Sequence, residues 1–437
     1  MVAVAAFRGL RFDPAVTGDL GLVLTPPFDV ITPALRGEYE RQSRHNVIRL
    51  APGRGGQGDL PDDPGRYDRA AKLLAAWREE GALQPDPEPS LYLYEEVYTV
   101  RGERRVQRGV LACVELDGSG RWILPHEGTM APLVAERLRL LEATRANLSP
   151  VFGLYAGGGR TAGVLDRVAA DPPAIDATDP TGIGHRVWPV TDPAVIAAWR
   201  ALLAPEQVLI ADGHHRWRAA LAYRDAMRRA HPDPDRASGA APWEWMLAYL
   251  VDADAAGPAI LANHRLLKGV PGDAVLAALA ADFDAVPLGS AAEIEEGLAG
   301  LPREAVAFGL YAAGQSWLLI ARDPAAVAAE TGLERWPLDV EVLHGPVLAR
   351  RLGIHDIGGQ DLAYGADLAR IAERVDRNGG CNSLLALRPA RFREVLAIAR
   401  TGKTLPPKTT FFHPKPRDGL VLRPLEPEPQ PWPPGRR

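Results

Sequence analysis

One stretch points to the fold of this chain, namely Ala211-Asp212-Gly213-His214-His215-Arg216-Trp217. The apolar run 208–210 before it predicts a buried strand, and the run 218–229 after it has the periodicity of a helix. α/β proteins place bound anions at such turns, because the first N–H groups of a helix have no partner within it. A turn that also holds a carboxylate, two imidazoles and a guanidinium predicts a functional site.

Two residues of this turn suggest a ligand. Gly213 has no side chain, so a ligand can approach its backbone closely. On a helical wheel Arg216 faces inward, where an unpaired charge is costly, so we expect a carboxylate or phosphate beside it. Arg224 and Arg228 fall on the opposite face and are expected to be solvated. The alternative is structural: Asp212 caps the helix and the histidines pack locally.

A second polar cluster is Pro125-His126-Glu127-Gly128-Thr129, which precedes a helix predicted to begin at Pro132. Arg137 falls in the apolar stripe of that helix and Arg145 lies near its edge. An arginine in such a position is either part of a structural ion pair or a clamp for a ligand. Asn147 follows the helix and adds a hydrogen-bonding side chain.

Two later segments are further candidates. Asn263-His264-Arg265 is predicted to follow an apolar strand. The segment 406–415 is a rigid, basic loop in which Lys408 or Lys415 either reaches a phosphate or lies on the surface.

Composition narrows the class of protein. The chain has 437 residues, 46% hydrophobic residues and a formal net charge of −5, with a pI near 6.1. An acidic chain of this kind disfavours a constitutive nucleic-acid binder. Two cysteines do not make a disulfide framework, and we expect a reducing, cytoplasmic compartment. Neither a signal peptide nor a membrane-spanning segment is expected.

Helices alternate with hairpins and single strands, which predicts a mixed α/β (α+β) fold. Three strand pairs are expected: 90–99 with 105–116, 246–251 with 259–261, and 305–311 with 316–321. We predict an N-terminal α/β region, 1–265, that carries the candidate site. A C-terminal α+β region, 266–424, and a disordered, Pro-rich tail, 425–437, follow it.

Several well-known motifs are absent from the sequence. There is no Gly-x-x-x-x-Gly-Lys-Ser/Thr loop and no Gly-x-Gly-x-x-Gly after a strand. There is also no Gly-x-Ser-x-Gly elbow and no His-Glu-x-x-His zinc motif.

The chain resembles the domain-of-unknown-function 1015 family of bacteria and archaea over nearly its whole length, to about residue 425. The resemblance is carried by Pro-Pro-Phe-Asp-Val-Ile (26–31), His-Glu-Gly-Thr (126–129), Ala-Thr-Arg-Ala-Asn-Leu-Ser-Pro (143–150), Ala-Asp-Gly-His-His-Arg (211–216), Asn-His-Arg (263–265), Leu-Asp-Val (338–340) and Pro-Pro-Lys-Thr-Thr-Phe-Phe-His-Pro-Lys (406–415). The family has no settled activity, so the resemblance identifies relatives rather than a function.

A shorter segment, 213–219, is similar to the phosphate-binding box of ParB-type proteins and to the Gly-x-His-Arg turn of sulfiredoxin. The resemblance implies a ParB/sulfiredoxin-like strand–turn–helix core, with added hairpins and helices, in which the turn grips nucleotide phosphates. Some members of that superfamily are kinases of free serine and have a similar Asp-Gly-His-His-Arg turn. This chain differs from ParB in having no recognisable helix-turn-helix domain downstream.

The leading hypothesis is a nucleotide-dependent phosphotransferase, a kinase, that uses Mg²⁺ and ATP or ADP and acts on a small polar metabolite, serine or a related hydroxy acid. The predicted catalytic residues are Asp212, His214, His126 and Glu127, of which Asp212 and Glu127 are also candidates for holding the metal. The predicted nucleotide-binding residues are Gly213, His215, Arg216 and Lys408. The predicted substrate-binding residues are Arg137, Arg145, Asn147, His264 and Arg265.

Two other classes of protein remain open from the sequence. The same His, Asp and Glu side chains suit a metal-dependent hydrolase such as a phosphatase. A nucleotide sensor or ParB-like regulator without catalytic activity is the third hypothesis. The expected partners are a small molecule and a nucleotide, not a membrane or a nucleic acid, and the sequence leaves the oligomeric state open.

Overall fold

The computed structural model describes residues 1–51, 65–232, 241–256, 258–355, 361–377, 380–406 and 408–426. The predicted disordered tail, 425–437, lies outside the described residues from 427 onward. None of the helices in the described ranges has the length and hydrophobicity that a bilayer crossing requires.

The strands, in chain order, are β1 (Val4–Ala5), β2 (Leu10–Phe12), β3 (Leu83–Pro85), β4 (Leu91–Val100), β5 (Glu103–Glu115), β6 (Ile123–Leu124), β7 (Ala146–Asn147), β8 (Val151–Tyr155), β9 (Ile175–Thr178), β10 (Gly184–Val190), β11 (Val208–Asp212), β12 (Trp245–Asp252), β13 (Ala259–Leu261), β14 (His264–Leu267), β15 (Phe283–Leu288), β16 (Ala307–Ala312), β17 (Gln315–Ala321), β18 (Leu362–Gly365), β19 (Ser383–Ala386), β20 (Phe411–His413) and β21 (Arg423–Pro424).

The α-helices are α1 (Pro14–Thr17), α2 (Pro33–Gln42), α3 (Gly65–Glu79), α4 (Ala131–Thr144), α5 (Ala162–Val168), α6 (Pro193–Leu203), α7 (His214–Ala230), α8 (Ala253–Ala256), α9 (Gly272–Leu279), α10 (Ala292–Gly300), α11 (Pro324–Ala329), α12 (Asp339–Val342), α13 (Leu368–Asp376) and α14 (Phe392–Arg400). Short 3₁₀ segments include Phe28–Val30 and Val47–Leu50, and a π-helical segment, Leu343–Arg351, continues from α12.

The chain divides into two compact units, and the mixed α/β class is confirmed. Unit 1 contains residues 1–125, 129–259 and 414–437, and unit 2 contains 126–128 and 260–413. The division into functional regions, 1–265 and 266–424, stays a prediction.

The main sheet of unit 1 has the strand order β6-β11-β8-β12-β5-β4-β10-β9, with β1 paired to β5. Strand β11 is parallel to β6 and antiparallel to β8, and α7 begins where β11 ends. Ile210 on β11 and Trp217 on α7 belong to the same buried apolar cluster. This packing fixes the start of α7 at the end of a buried strand, as the apolar run 208–210 predicts.

Unit 2 contains a separate sheet with the order β15-β17-β16-β19-β14-β18. The hairpin predicted over 305–321 is confirmed as β16 and β17, in which Ala312 pairs with Gln315. Apolar clusters cover this sheet and include Phe308, Leu310 and Leu385.

One predicted strand pair is wrong. Segment 246–251 does not pair with 259–261: β12 lies between β5 and β8, and β13 pairs with β20. Pairing with distant segments decides this outcome, and local periodicity carries no information about such pairing. Asn263-His264-Arg265 follows an apolar strand, β13, as predicted, and His264 and Arg265 also begin β14.

A buried carboxyl group lies in the unit 1 sheet at Glu96 of β4. Its side chain is fully buried, and Gln107 Nε2 donates to its Oε2 at 2.5 Å. Burial raises the pKa of Glu96 from 4.5 to about 7, because the nearby Arg417 and the hydrogen bonds from Tyr94 and Gln107 offset the desolvation only in part. The folded state therefore holds a proton here that the unfolded chain releases.

This group makes stability depend on pH near neutrality. Because the folded-state pKa of Glu96 is raised, its contribution is most favourable below pH 4.5 and is lost as the pH rises towards 7, by on the order of 3 kcal/mol. We expect Glu96→Gln to flatten the fall in unfolding free energy between pH 5 and 8, measured by urea unfolding. The exposed Glu115→Gln is the control, and an unchanged slope in Glu96→Gln would contradict the assignment.

Candidate functional site

The predicted strand–turn–helix is present in unit 1. Gly213 follows β11 with a φ of +96° and is the N-cap of α7, and no side chain caps that helix. A Cβ atom at position 213 would lie 3.0 Å from Nε of Arg216. The turn therefore needs glycine for its backbone conformation and for the close approach of this guanidinium.

Asp212 is held by two cations. Its Oδ1 lies 2.5 Å from Nζ of Lys415, and its Oδ2 accepts a hydrogen bond from Nη2 of Arg216 at 2.5 Å. Burial alone would raise the pKa of Asp212, but Lys415 and Arg216 outweigh it and lower the pKa to about 2. Asp212 is thus an ionised ion-pair partner, and Gly213 takes the N-cap position that the structural alternative gave to Asp212.

The ion pair with Lys415 has a testable pH dependence. Because the folded-state pKa of Asp212 is lowered, its stabilising effect is fully present above about pH 4 and is lost as the pH falls towards 2. We expect Lys415→Met to lower the unfolding free energy at pH 6 and the difference from wild type to shrink by pH 3. Denaturant unfolding at both pH values checks this, with the exposed Lys403→Met as control. A difference that is the same at both pH values would contradict the pairing.

The inward position predicted for Arg216 is confirmed, and its carboxylate partner is Asp212, four residues earlier. Nη1 of Arg216 also donates to the hydroxyl of Ser149 and to the carbonyl of Pro150. These contacts join the turn to the segment that follows α4. Arg216 therefore holds the turn in place through these contacts, and it is also a candidate for contact with a ligand.

The solvated position predicted for Arg224 is wrong, because Arg224 is buried and donates to the carbonyl of Leu116. The solvated position predicted for Arg228 is confirmed: its side chain is exposed, although its guanidinium also pairs with Glu244. The helical wheel assigned both residues to solvent and could not show that the segment around Leu116 covers Arg224.

Helix α4 begins beside α7. Met130 is the N-cap of α4 without a side-chain cap, and its N–H donates to Nε2 of His215 at 3.1 Å. Neither α4 nor α7 has an acidic residue in its first turn. Two helix N-termini that are joined in this way, without acidic side chains of their own, create a positive potential that favours a bound anion.

Arg137 of α4 is buried close to this turn. Its Nη2 donates to Oε1 of Glu136 at 2.6 Å, and its guanidinium carbon lies 3.2 Å from the ring centre of Phe28. Burial, together with the nearby Arg216, lowers the pKa of Arg137 to about 10, although Glu136 opposes this. Arg137 is thus an ion-pair member that also lines a cavity with Arg216 and Ser149.

Arg145 and Asn147 occupy positions that are less suitable than that of Arg137 for binding a substrate. Arg145 is exposed and ends α4 in a left-handed conformation, with φ +47°. The Oδ1 atom of Asn147 accepts hydrogen bonds from the backbone N–H of Leu247 and from Arg423, each at 3.0 Å. Their roles in binding a substrate stay predictions.

The other predicted site residues lie in unit 2. His126 is fully buried, with Nε2 3.1 Å from Oγ1 of Thr410 and 3.9 Å from Oε1 of Glu127. Its carbonyl accepts a hydrogen bond from the N–H of Leu405. His126 and Glu127 are thereby tied to the 405–410 segment.

Arg265 is the centre of a buried cluster in unit 2. Its guanidinium donates to Nε2 of His344 at 3.1 Å and to the carbonyls of Asn263 and Lys408. Burial lowers the pKa of Arg265 to about 10, and burial beside Arg265 lowers the pKa of His344 to about 3. His344 is therefore neutral near pH 7 and accepts from Arg265.

Lys408 and His264 are neighbours of Arg265 in this part of unit 2. The side chain of Lys408 is exposed, and only its carbonyl takes part in the bond to Arg265. His264 is buried, and its Nδ1 accepts from the N–H of Leu387 at 3.3 Å. Contact of either side chain with a ligand stays a prediction.

Asp212 does not fit the role of a metal ligand in this arrangement, because each of its carboxylate oxygens already accepts from a cation. Within the described ranges no group of three or more His, Cys, Asp or Glu side chains is arranged to hold a metal ion. No step is therefore assigned to Mg²⁺ held by Asp212.

Sequence reasoning did not distinguish Lys415 from a surface lysine and gave no role to Phe28 or Asp418. All three lie at the site: Lys415 pairs with Asp212, and Phe28 and Asp418 line the cavity. The motifs at 26–31 and 406–415 were the available signal for Phe28 and Lys415, since both segments carry the family resemblance, and no motif contains Asp418.

The candidate site is a strand–turn–helix in a mixed α/β protein, and no side chain caps the helix. Residues 4–341 match the family described as protein of unknown function (DUF1015), and the chain belongs to this family. No curated protein matches the chain.

The chain is also similar to several solved structures. Free serine kinase in complex with AMP has 14% identity and a TM-score of 0.35, covering 69% of this chain and 86% of that chain. A conserved hypothetical protein from Pyrococcus furiosus has 15% identity and a TM-score of 0.32, covering 69% and 89%. SbnI with C-terminal truncation, from Staphylococcus aureus, has 10% identity and a TM-score of 0.36, covering 72% and 87%. Scores of this size carry no inference about activity.

Proposed function

We propose that this protein is a nucleotide-dependent phosphotransferase that moves a phosphoryl group to the hydroxyl of a small polar metabolite. The observation that carries the proposal is the junction of two uncapped helix N-termini, at Met130 and Gly213, through the bond from Met130 N–H to His215. Phosphoryl transfer depends mainly on positioning and on neutralising phosphate charge. Two helix N-termini and a buried arginine supply both.

The chain's own residues act on the nucleotide in three ways. The backbone at Gly213 and the two histidines after it bind the phosphates, and Arg216 keeps the turn in shape through Asp212. His214 lies close enough to Asp212 to contribute to the lowered pKa of that carboxyl group, which places its imidazole at the turn. Mg²⁺, if bound, would neutralise phosphate charge, and the phosphates rather than Asp212 would supply its ligands.

The transfer step conserves atoms and charge. The acceptor hydroxyl oxygen bonds to the terminal phosphorus of ATP or ADP, and the bond from that phosphorus to the bridging oxygen breaks. The hydroxyl proton passes to a base, for which His214, His126 and Glu127 are the candidates. The proposal also includes substrate binding by His264 and Arg265 and nucleotide binding by Lys408, which alanine variants test in the assay below. A cytoplasmic location belongs to the same proposal.

The proposal is tested with the full chain, Mg²⁺ and ATP or ADP, with and without hydroxy and amino acids, followed by ³¹P NMR. We expect an acceptor-dependent phosphomonoester signal. His215→Ala, which removes the link to α4, should lower the rate by about 100-fold. His215→Gln keeps an acceptor for the Met130 N–H and should recover part of the rate, and the exposed Arg218→Ala should match wild type.

Other results would favour the other two classes of protein. Tight nucleotide binding with no turnover for any acceptor would contradict the kinase and support a sensor. Hydrolysis that depends on a tightly bound transition metal would support a phosphatase.

A further inference from the structure

A cavity of about 60 Å³ lies in unit 1 beside the Gly213 turn. Its apolar wall includes Val47, Leu50, Leu140, Leu148 and Met246. This volume has room for about five water molecules or one small organic molecule, and it is far too small for a nucleotide.

The cavity also has polar lining residues, namely Arg137, Asn147, Ser149, Arg216 and Asp418. Arg216 also lies against Gly213, since a Cβ there would meet its guanidinium at 3.0–3.1 Å. Arg216 therefore belongs both to the Gly213 turn and to the wall of the cavity.

Arg137 has donor capacity that the protein does not use. Within the described ranges its buried Nε has no hydrogen-bond acceptor, although Nη2 is paired with Glu136. A buried donor without an acceptor costs about 1–3 kcal/mol, so an acceptor supplied by a ligand is favoured here. A carboxylate suits this position, because it accepts from an arginine in bidentate geometry.

We infer that this cavity binds the phosphoryl acceptor as a short-chain 2-hydroxy acid whose carboxylate meets Arg137 and whose carbon chain beyond C2 is apolar. The inference rests on the proposed function for naming the ligand as the acceptor. A hydroxyl group on the ligand beyond C2 would have no hydrogen-bond partner in an apolar wall. Binding of glycerate and serine is therefore disfavoured relative to binding of alkyl analogues of the same size.

The test is isothermal titration of the full chain, without nucleotide, with glycolate, lactate, 2-hydroxybutyrate and glycerate. All four carry a carboxylate and a 2-hydroxyl, so only the chain differs. Affinity is expected to rise about threefold to fourfold with each added methylene. Glycerate, nearly the same size as 2-hydroxybutyrate, is expected to bind about tenfold more weakly.

Two variants separate the charged and the apolar parts of the cavity. Arg137→Gln is expected to lower affinity for every acid by at least about tenfold, and the exposed Arg139→Gln, on the same helix, should bind as wild type does. Ala51 also lines the cavity, and Ala51→Leu fills space without touching a charge, so its effect should grow with chain length. Ala51→Leu keeps the test decisive if Arg137→Gln does not fold, as judged by circular dichroism.

Equal affinity for glycerate and 2-hydroxybutyrate, or no effect of chain length, would overturn the inference. The titration together with the ³¹P NMR assay described above separates the inference from the proposed function. Affinity that rises with the length of the ligand's carbon chain, without any phosphoryl transfer, would contradict the proposed kinase activity and support a binding site for alkyl carboxylates. Transfer to serine or glycerate, without preference for the alkyl acids, would support the kinase activity and contradict the inference about the cavity.

Discussion

Gly213→Ala is expected to lower kcat/KM for phosphoryl transfer by at least about 100-fold. The backbone at this position has φ +96°, which an alanine adopts only at a cost of about 1–2 kcal/mol. The added Cβ would also lie 3.0 Å from Nε of Arg216, so the guanidinium must move. Both effects displace the first N–H groups of α7 from the position in which they face a phosphate.

Gly182→Ala is the matched control for this experiment. Gly182 also lies in unit 1 with a positive φ, +84°, and no atom lies within 4 Å of a Cβ added there. The two variants are expected to lose similar stability through backbone strain, while only Gly213→Ala loses transfer. Equal rates of phosphoryl transfer in the two variants would show that the Gly213 turn takes no part in catalysis.

Arg216→Ala is expected to lower the unfolding free energy by about 3–5 kcal/mol. The change leaves the Pro150 carbonyl and the Ser149 hydroxyl without their buried donor, and it removes one of the two cations that hold Asp212, the other being Lys415. Urea unfolding at pH 7 measures the loss. The exposed Arg218→Ala, two residues along the same helix, should stay within about 0.5 kcal/mol of wild type. A loss below about 1 kcal/mol for Arg216→Ala would show that these contacts do not hold the turn.

Local pattern was enough to locate the turn but not to find its partners. The run 208–210 and the periodicity of 218–229 place β11 and α7, and the helical wheel places Arg216 inward. The carboxylate that pairs with Arg216 was present in the same heptapeptide, as Asp212. Lys415, its second cation, is far away in the chain, and no local period reports such a contact.

The errors have the same physical origin. Arg224 is on the side of α7 that a wheel assigns to water, yet it binds the carbonyl of Leu116, which is 108 residues away. Strand β12 is apolar as far as Val251, and its pairing was predicted with the next apolar run, whereas it lies between β5 and β8. A strand that is buried on both faces has no alternation from which its neighbours can be inferred.

We propose that the joined N-termini of α4 and α7 bind phosphate through backbone N–H groups. Two-dimensional ¹H–¹⁵N NMR of the full chain, titrated with ADP, tests this proposal. We expect saturable shifts of the amide signals of Gly213, His214, His215 and Ala131, which Gly213→Ala reduces and Gly182→Ala preserves. Saturable ADP binding that leaves these four signals unchanged would contradict it.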